Sequence, residues 1–293
     1  MSGVSIGKRA AVEQDRVVED ISRLERVRRK HVGRYLSALA VVALVTWLVM
    51  AFVHGQIDWP VVRRYLTVRT IILGLGNTVL MAFLAMLLGI LIGVAVAIMR
   101  LSDNPLVKWA AASYVWFFRG TPLLLQLLLW FNLALVFPKL GIPGLFELRT
   151  VDVMTPFIAA LLGLGINQGA YTSEVVRAGL LSVDQGQYEA ASAIGMPRLQ
   201  ALRRIILPQA MRVIVPPIGN ELIGMVKLTS LASVIQFSEI VHNAENIYYV
   251  NNYVIELLIV AAFWYLIVVT VLTFLQMRLE RHYARGARNT KPR

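Results

Sequence analysis

Three apolar stretches of this 293-residue chain carry polar side chains that hydrocarbon would not welcome. The first holds Arg119-Gly120-Thr121-Pro122, with Gln126 one turn on. The second holds Asn167, Gln168, Tyr171, Glu174 and Arg177, and the third Asn220, Glu221, Lys227, Thr229 and Ser230. An amide or a charge at membrane depth is costly, so its default reading is functional. Asn167, Tyr171 and Glu174 are spaced i, i+4, i+7 and share one helical face; Asn220 and Lys227, seven apart, share another. Amides and a carboxylate so placed can hydrogen-bond a polar solute, which makes Asn167, Gln168, Tyr171, Asn220, Glu221 and Gln126 the candidate contacts. Arg119, Glu174, Arg177 and Lys227 are read as a gate or as ion pairs tying helices together. Gly120 and Pro122 break or kink a helix and free backbone groups. The alternative there is that Arg119 sits at a membrane boundary and Pro122 opens the helix proper.

Other chemistries find no residues to carry them. There is no cysteine, hence no disulfide and no thiolate metal site. His31, His54, His242 and His282 are far apart and show no ligand spacing. No nucleophile–base constellation is present, and no G-x-x-x-x-G-K-[ST] loop. The chain is therefore expected to be no enzyme, to hold no metal and to need no cofactor of its own.

The elements that must position these groups follow from composition. Hydrophobic residues make up 57% and charged residues 16% of the chain, against about 25% charged in a soluble domain. The apolar residues come in runs of the ~20 that cross a bilayer. The fold class is thus an all-α polytopic membrane protein with six transmembrane helices. They are expected at about 37–53, 71–99, within 111–137, and at about 156–180, 212–236 and 252–277. Ala85, Gly89, Gly93 and Ala97 form a stripe of small residues on the second, and Gly165, Gly169 and Ser173 on the fourth. Such stripes let two helices approach closely. Gly141-Ile142-Pro143-Gly144 marks a turn before the fourth span.

The formal charge of +12 is a topology signal rather than a nucleic-acid footprint. Lys and Arg crowd the N-terminal segment, the loop around Glu189 and the C-terminal tail, while only Arg63, Arg64, Arg69, Lys139 and Arg149 fall on the other side. The positive-inside rule then puts both termini and the Glu189 loop on the cytoplasmic side of the membrane. Three parts result: a basic N-terminal segment over 1–36, a membrane domain over 37–280, and a basic tail over 281–293. Residues 13–30 have a helical pattern with Val17, Ile21 and Leu24 on one face, which suits a surface helix on an anionic leaflet or a partly disordered tail. The first apolar run starts only near Ser37, so the N-terminus does not read as a cleavable signal peptide.

Within the loop at 183–210 lies QYEAASAIGMPRLQALRRIILP, residues 187–208. It reads as two short helices joined at Gly195, which suits a left-handed position that ends a helix. Pro197 suits the first turn of the second helix, and Pro208 closes the unit. The stretch resembles the cytoplasmic EAA loop of permease subunits of ABC importers, whose signature is E-A-A, three residues, G, nine residues, I, one residue, L-P. Glu189, Ala190, Ala191, Gly195, Ile205, Leu207 and Pro208 fall at that spacing. An amphipathic loop on the membrane surface is the bland alternative, but it leaves the spacing unexplained. FFRGTPLLLQLLLWF, NQGAYTSEVVRAGLLSV and GNELIGMVKLTSL also resemble segments of the polar amino acid subgroup. Leu228 stands where that subgroup more often has an acidic residue, and Asp184-Gln185 where it often has proline-lysine.

The resemblance runs from about Leu75 to Arg281. It implies the type I importer permease fold and the uptake of a polar amino acid. It implies two ABC ATPase subunits that hold ATP and magnesium, a second permease subunit, identical or related, and an extracytoplasmic solute-binding protein. Glu189, Ala190, Ala191, Gly195, Arg203, Arg204 and Pro208 would serve ATPase coupling in alternating access. The competing reading is an ion-coupled secondary amino acid transporter. That class usually shows repeated halves and carboxylate relays, whereas Glu174, Glu221 and Glu256 are scattered and no repeat is visible.

Overall fold

A computed structural model describes residues 32–142 and 146–284. The surface helix expected over 13–30 and the tail beyond 284 lie outside the described residues. The chain divides into two compact units, residues 1–57 and 58–293. Within the first, α1 (Val32–Val53) is one unbroken apolar helix.

Among its described residues the second unit is helical except for one hairpin. After α2 (Trp59–Tyr65) comes α3 (Arg69–Arg100), then α4 (Pro105–Gly120) and α5 (Leu123–Phe131). Strands β1 (Lys139–Ile142) and β2 (Phe146–Arg149) pair antiparallel, and α6 (Thr150–Val153) is a single turn. Helix α7 (Pro156–Leu181) leads to α8 (Gln185–Ala193) and α9 (Arg198–Ala201). A π turn (Leu202–Ile206) joins α9 to α10 (Leu207–Leu228). A 3-10 segment (Thr229–Ile235), α11 (Ile240–Asn251) and α12 (Val254–Ala284) complete the unit.

Among the described residues, four helices are long and apolar enough to cross a membrane: Gly33–Val53, Arg69–Arg100, Arg198–Ile235 and Val254–Tyr283. The bent pair α4–α5 makes a fifth. α7 has the length, 26 residues, but its amides, charges and glycines keep it out of that set.

The small-residue stripes do face each other. Gly89 lies against Gln168 and Gly93 against Thr172, where an added Cβ would stand 2.6 and 2.7 Å from side-chain carbons; Gly165 and Gly169 meet Leu88 and Ile92 in the same way. Larger residues would push α3 and α7 apart, at roughly the 1–3 kcal/mol of an overpacked core. Met81, Ala82 and Ala85 of α3, Leu127 of α5, Ala159, Ala160 and Leu164 of α7, and Met225 and Val226 of α10 form the central core.

Pro208 does not close the coupling stretch: the helix that begins at Arg198 runs on to Ile235. A proline inside an α-helix loses an i→i−4 bond and strikes the carbonyl four residues back. Here the π turn directly precedes it, with the Leu207 N–H donating to Leu202 O, five residues back. The wider turn takes up the misfit, and the chain continues. α11 is an element that the sequence reading did not anticipate. Its signal was Glu239, whose carboxylate caps the helix by accepting from the N–H groups of Val241 (2.9 Å) and His242 (2.6 Å).

Candidate transport site and coupling loop

Chemistry in the bundle begins at the break between α4 and α5, which meet at 101°. Thr121, preceding Pro122, is extended at φ −111°, ψ 144°, because the proline ring disfavours helix at the residue before it. The break leaves carbonyls without helical donors, and two buried amides supply them. Gln126 donates to Phe118 O (3.1 Å), Thr121 O (3.2 Å) and Thr121 Oγ1 (2.7 Å). Asn167 reaches across from α7 to Phe118 O (2.9 Å) and Gln126 Oε1 (3.2 Å). The Tyr114 hydroxyl, in turn, donates to Ile166 O at 2.5 Å.

A second cluster joins α7 to α10. Gln168 Nε2 donates to Glu221 Oε2 at 2.7 Å, and Thr172 Oγ1 to the same oxygen at 3.2 Å. Both donors favour one carboxylate oxygen and leave Oε1 of the half-buried Glu221 without a protein partner among the hydrogen bonds of the described residues. Gln126, Asn167 and Gln168 are only 3, 7 and 5% exposed, so three of the six candidate contacts spend donors on the protein itself. Tyr171 and Asn220 are exposed. The Arg119 guanidinium stands 5.1 Å from the centre of the Tyr171 ring and close enough to Glu221 to interact coulombically.

The expected ion pairing centres on Glu174. It pairs with Arg177 on its own helix (2.9 Å), with Arg100 at the end of α3, and more loosely with Arg119 (3.7 Å) at the end of α4. Arg100 was not among the candidates. The signal for it was its place in the last turn of α3, where a cation suits the helix dipole. Lys227 is brought to none of these groups: it is exposed, and no ion pair among the described residues includes it.

At the far end of α7, α8 starts on Asp184, whose carboxylate accepts from Gly186 N at 2.7 Å. It ends at Gly195, φ +73°. The N–H of Met196 donates to Ala191 O (3.0 Å) and that of Gly195 to Ser192 O (2.9 Å), the two bonds of a Schellman stop. Pro197 is the residue before α9 rather than within its first turn. Ala191 turns inward, while Glu189, Ala190, Arg203, Arg204 and Pro208 are exposed. Gln187 Oε1 accepts from Gln209 (3.2 Å), and Tyr188 donates to Leu180 O (3.1 Å). The loop is thus tied to α7 and α10 and presents its other side outward. Among the described residues no group of three or more His, Cys, Asp or Glu could hold a metal ion.

Residues 89–285 match the family described as the binding-protein-dependent transport system inner membrane component. The chain belongs to that family. As a permease of this kind, it is 38% identical over 264 residues to an arginine transport system permease protein of Corynebacterium glutamicum, covering 89% of this chain and 83% of the relative. It is 35% identical over 251 residues to an L-cystine transport system permease protein of Bacillus subtilis, covering 85% of this chain and 96% of that one. Among solved structures, an amino acid ABC transporter chain crystallised with histidines superimposes with a TM-score of 0.67 at 36% identity, covering 78% of this chain and 99% of its own length. This permease therefore works in an ABC-type system, which sets the ion-coupled reading aside.

Proposed function

We propose that this permease is the transmembrane subunit of an ATP-driven importer that takes up a polar amino acid from a solute-binding protein. The observation that carries the reading is the joint one. Relatives named for arginine and for L-cystine cover more than four fifths of this chain, and among the described residues one carboxylate oxygen of Glu221 accepts no hydrogen bond, with the Arg119 guanidinium near enough to act on that carboxylate. An amino acid brings an ammonium and a carboxylate. Glu221 Oε1 takes the ammonium, and Arg119 and Asn220 are the groups suited to the carboxylate. Such charge-assisted bonds are strongest where water is scarce.

In this reading α1, α3, the pair α4–α5, α7, α10 and α12 are the six crossings, flanked by segments 1–36 and 281–293. α7 crosses with its polar face turned to the site and its glycine face to α3. Both termini and the loop at 183–210 lie in the cytoplasm of the cell membrane. There α8 enters a cleft on one of two ATPase subunits, which carry the ATP and magnesium, and a second permease subunit completes the pathway. ATP binding draws the ATPases together, and because α9 continues into α10, the displacement passes directly to the helix that bears Glu221. The bundle then rocks around the site as a rigid body.

The test is purification of the permease from its native membrane in mild detergent. Co-purification of an ABC ATPase, and saturable binding of an amino acid to that complex without the solute-binding protein, is the expected result. A complex that hydrolyses ATP but binds no amino acid would remove the site from this chain.

A further inference from the structure

Between α5 and α7 the register pairs Lys139 with Arg149, Leu140 with Leu148, Gly141 with Glu147 and Ile142 with Phe146. Residues opposite each other in a ladder point to one side, and successive residues to opposite sides. One face of the hairpin therefore holds Leu140, Ile142, Phe146 and Leu148, and the other Lys139, Gly141, Glu147 and Arg149. No described part of the chain covers the apolar face: Ile142, Phe146 and Leu148 are 57, 54 and 54% exposed. The charged face is closed on itself. Lys139 Nζ lies 2.6 Å from Glu147 Oε2, and Arg149 makes a two-pronged contact with Asp152 at 2.7 and 3.0 Å. Two cations meet two carboxylates, so little net charge is left to steer a protein partner. An isolated two-stranded hairpin is marginal in water, so this face needs cover.

Its surroundings say what the cover is. Leu135, Val136 and Phe137 just before the hairpin, and Val151 just after it, are exposed large apolar residues, and so are Leu125 and Leu129 on the exposed side of α5, the element that leads into them. That side belongs to the bent pair apolar enough to span a membrane. Thr150, fully buried, donates its N–H to Pro138 O at 3.0 Å and its hydroxyl to Phe137 O, locking the base of the strands. The hairpin precedes α7 and the coupling loop follows it, so the two lie at opposite ends of that helix. We infer that the hairpin is a monotopic anchor: its apolar face lies among the phospholipid chains of the bilayer interface and its self-paired charged face looks to water, as amphipathic interfacial elements do.

The absence of cysteine from the chain makes the test clean. Single-cysteine variants Phe146→Cys and Leu148→Cys probe the apolar face and Glu147→Cys the charged one. Each carries an environment-sensitive fluorophore in the full permease–ATPase complex, reconstituted in phosphatidylethanolamine–phosphatidylglycerol vesicles. The expected result is blue-shifted emission at 146 and 148, quenched by lipids bearing a nitroxide near the headgroup, and emission at 147 quenched by aqueous iodide instead. Leu148→Cys gives the reading independently if Phe146→Cys fails to assemble. Iodide quenching at 146 and 148 as strong as at 147 overturns the inference. So does shielding from both quenchers, whether it is present in the complex alone or appears on adding the solute-binding protein, since a protein then covers the face.

Discussion

Glu221 and Gln126 look alike as polar residues in apolar helices, yet their surroundings differ: Gln126 spends its amide on the break between α4 and α5, while one carboxylate oxygen of Glu221 accepts no hydrogen bond among the described residues. Glu221→Gln keeps an oxygen to accept from Gln168 and Thr172 and removes only the charge. The helices should stay packed while the ammonium loses a charge-assisted partner, a loss of about 1.5–3 kcal/mol, or roughly ten- to a hundredfold in apparent affinity. Equilibrium binding to the purified complex would show this, with assembly and basal ATP hydrolysis unchanged. Gln126→Leu should do the reverse. It strands Thr121 O and one donor of Asn167, and an unsatisfied buried group costs about 1–3 kcal/mol, so thermal stability should fall before affinity does. Residue types were legible in the sequence; roles were not. Asn167 and Gln168 are neighbours, but about 100° apart around a helix, so one meets the broken helix and the other Glu221. Which helix stands on each side is a property of packing that no local pattern encodes. Lys227 makes the same point: the pattern placed it on a face, and the face proves to be uncovered by the described chain.

Helix boundaries were legible wherever a local device sets them. Gly195 ends α8 as its spacing indicated, and the Gly120–Pro122 break falls where those residues stand. What escaped was the continuation through Pro208, because a π turn relieves a proline only through backbone spacing that leaves no mark in composition. Gly195 also separates conformation from bulk. No atom stands within 4 Å of where its Cβ would be, so a substitution meets no clash and is felt only through φ. Gly195→Val should therefore disrupt the turn, by about 1–2 kcal/mol, and lower both ATPase association and transport. Gly195→Asn, which tolerates the left-handed region better, should retain most of both. Equal loss in the two variants, measured by co-purification with the ATPase, would mean that surface chemistry and not the turn is what the ATPase needs.

At the scale of the whole molecule, one carboxylate joins three helices. Glu174 of α7 holds Arg100 at the end of α3 and Arg119 at the end of α4, while Arg177 steadies it from one turn on. A bundle that rocks needs such a tie: firm enough to move α3, α4 and α7 together, and wet enough to re-form each cycle. The partly exposed side chains, 21–44%, fit that middle course. Removing the acid leaves three guanidiniums facing one another. Glu174→Gln should therefore cost more than the ~1 kcal/mol of an exposed pair and less than the ~3–5 kcal/mol of a fully buried one. Its functional mark should be ATP hydrolysis that no longer depends on the loaded solute-binding protein, because helices released from one another no longer pass the signal. The effect is electrostatic, so it should be reversible by charge. Arg100→Gln in the Glu174→Gln background removes one of the repelling cations and should recover part of the lost stability. Arg100→Gln alone should destabilise. A double variant that is merely the sum of its singles in thermal melts would show that Glu174 and Arg100 act independently, and that the tie between α3 and α7 rests on the glycine stripe alone.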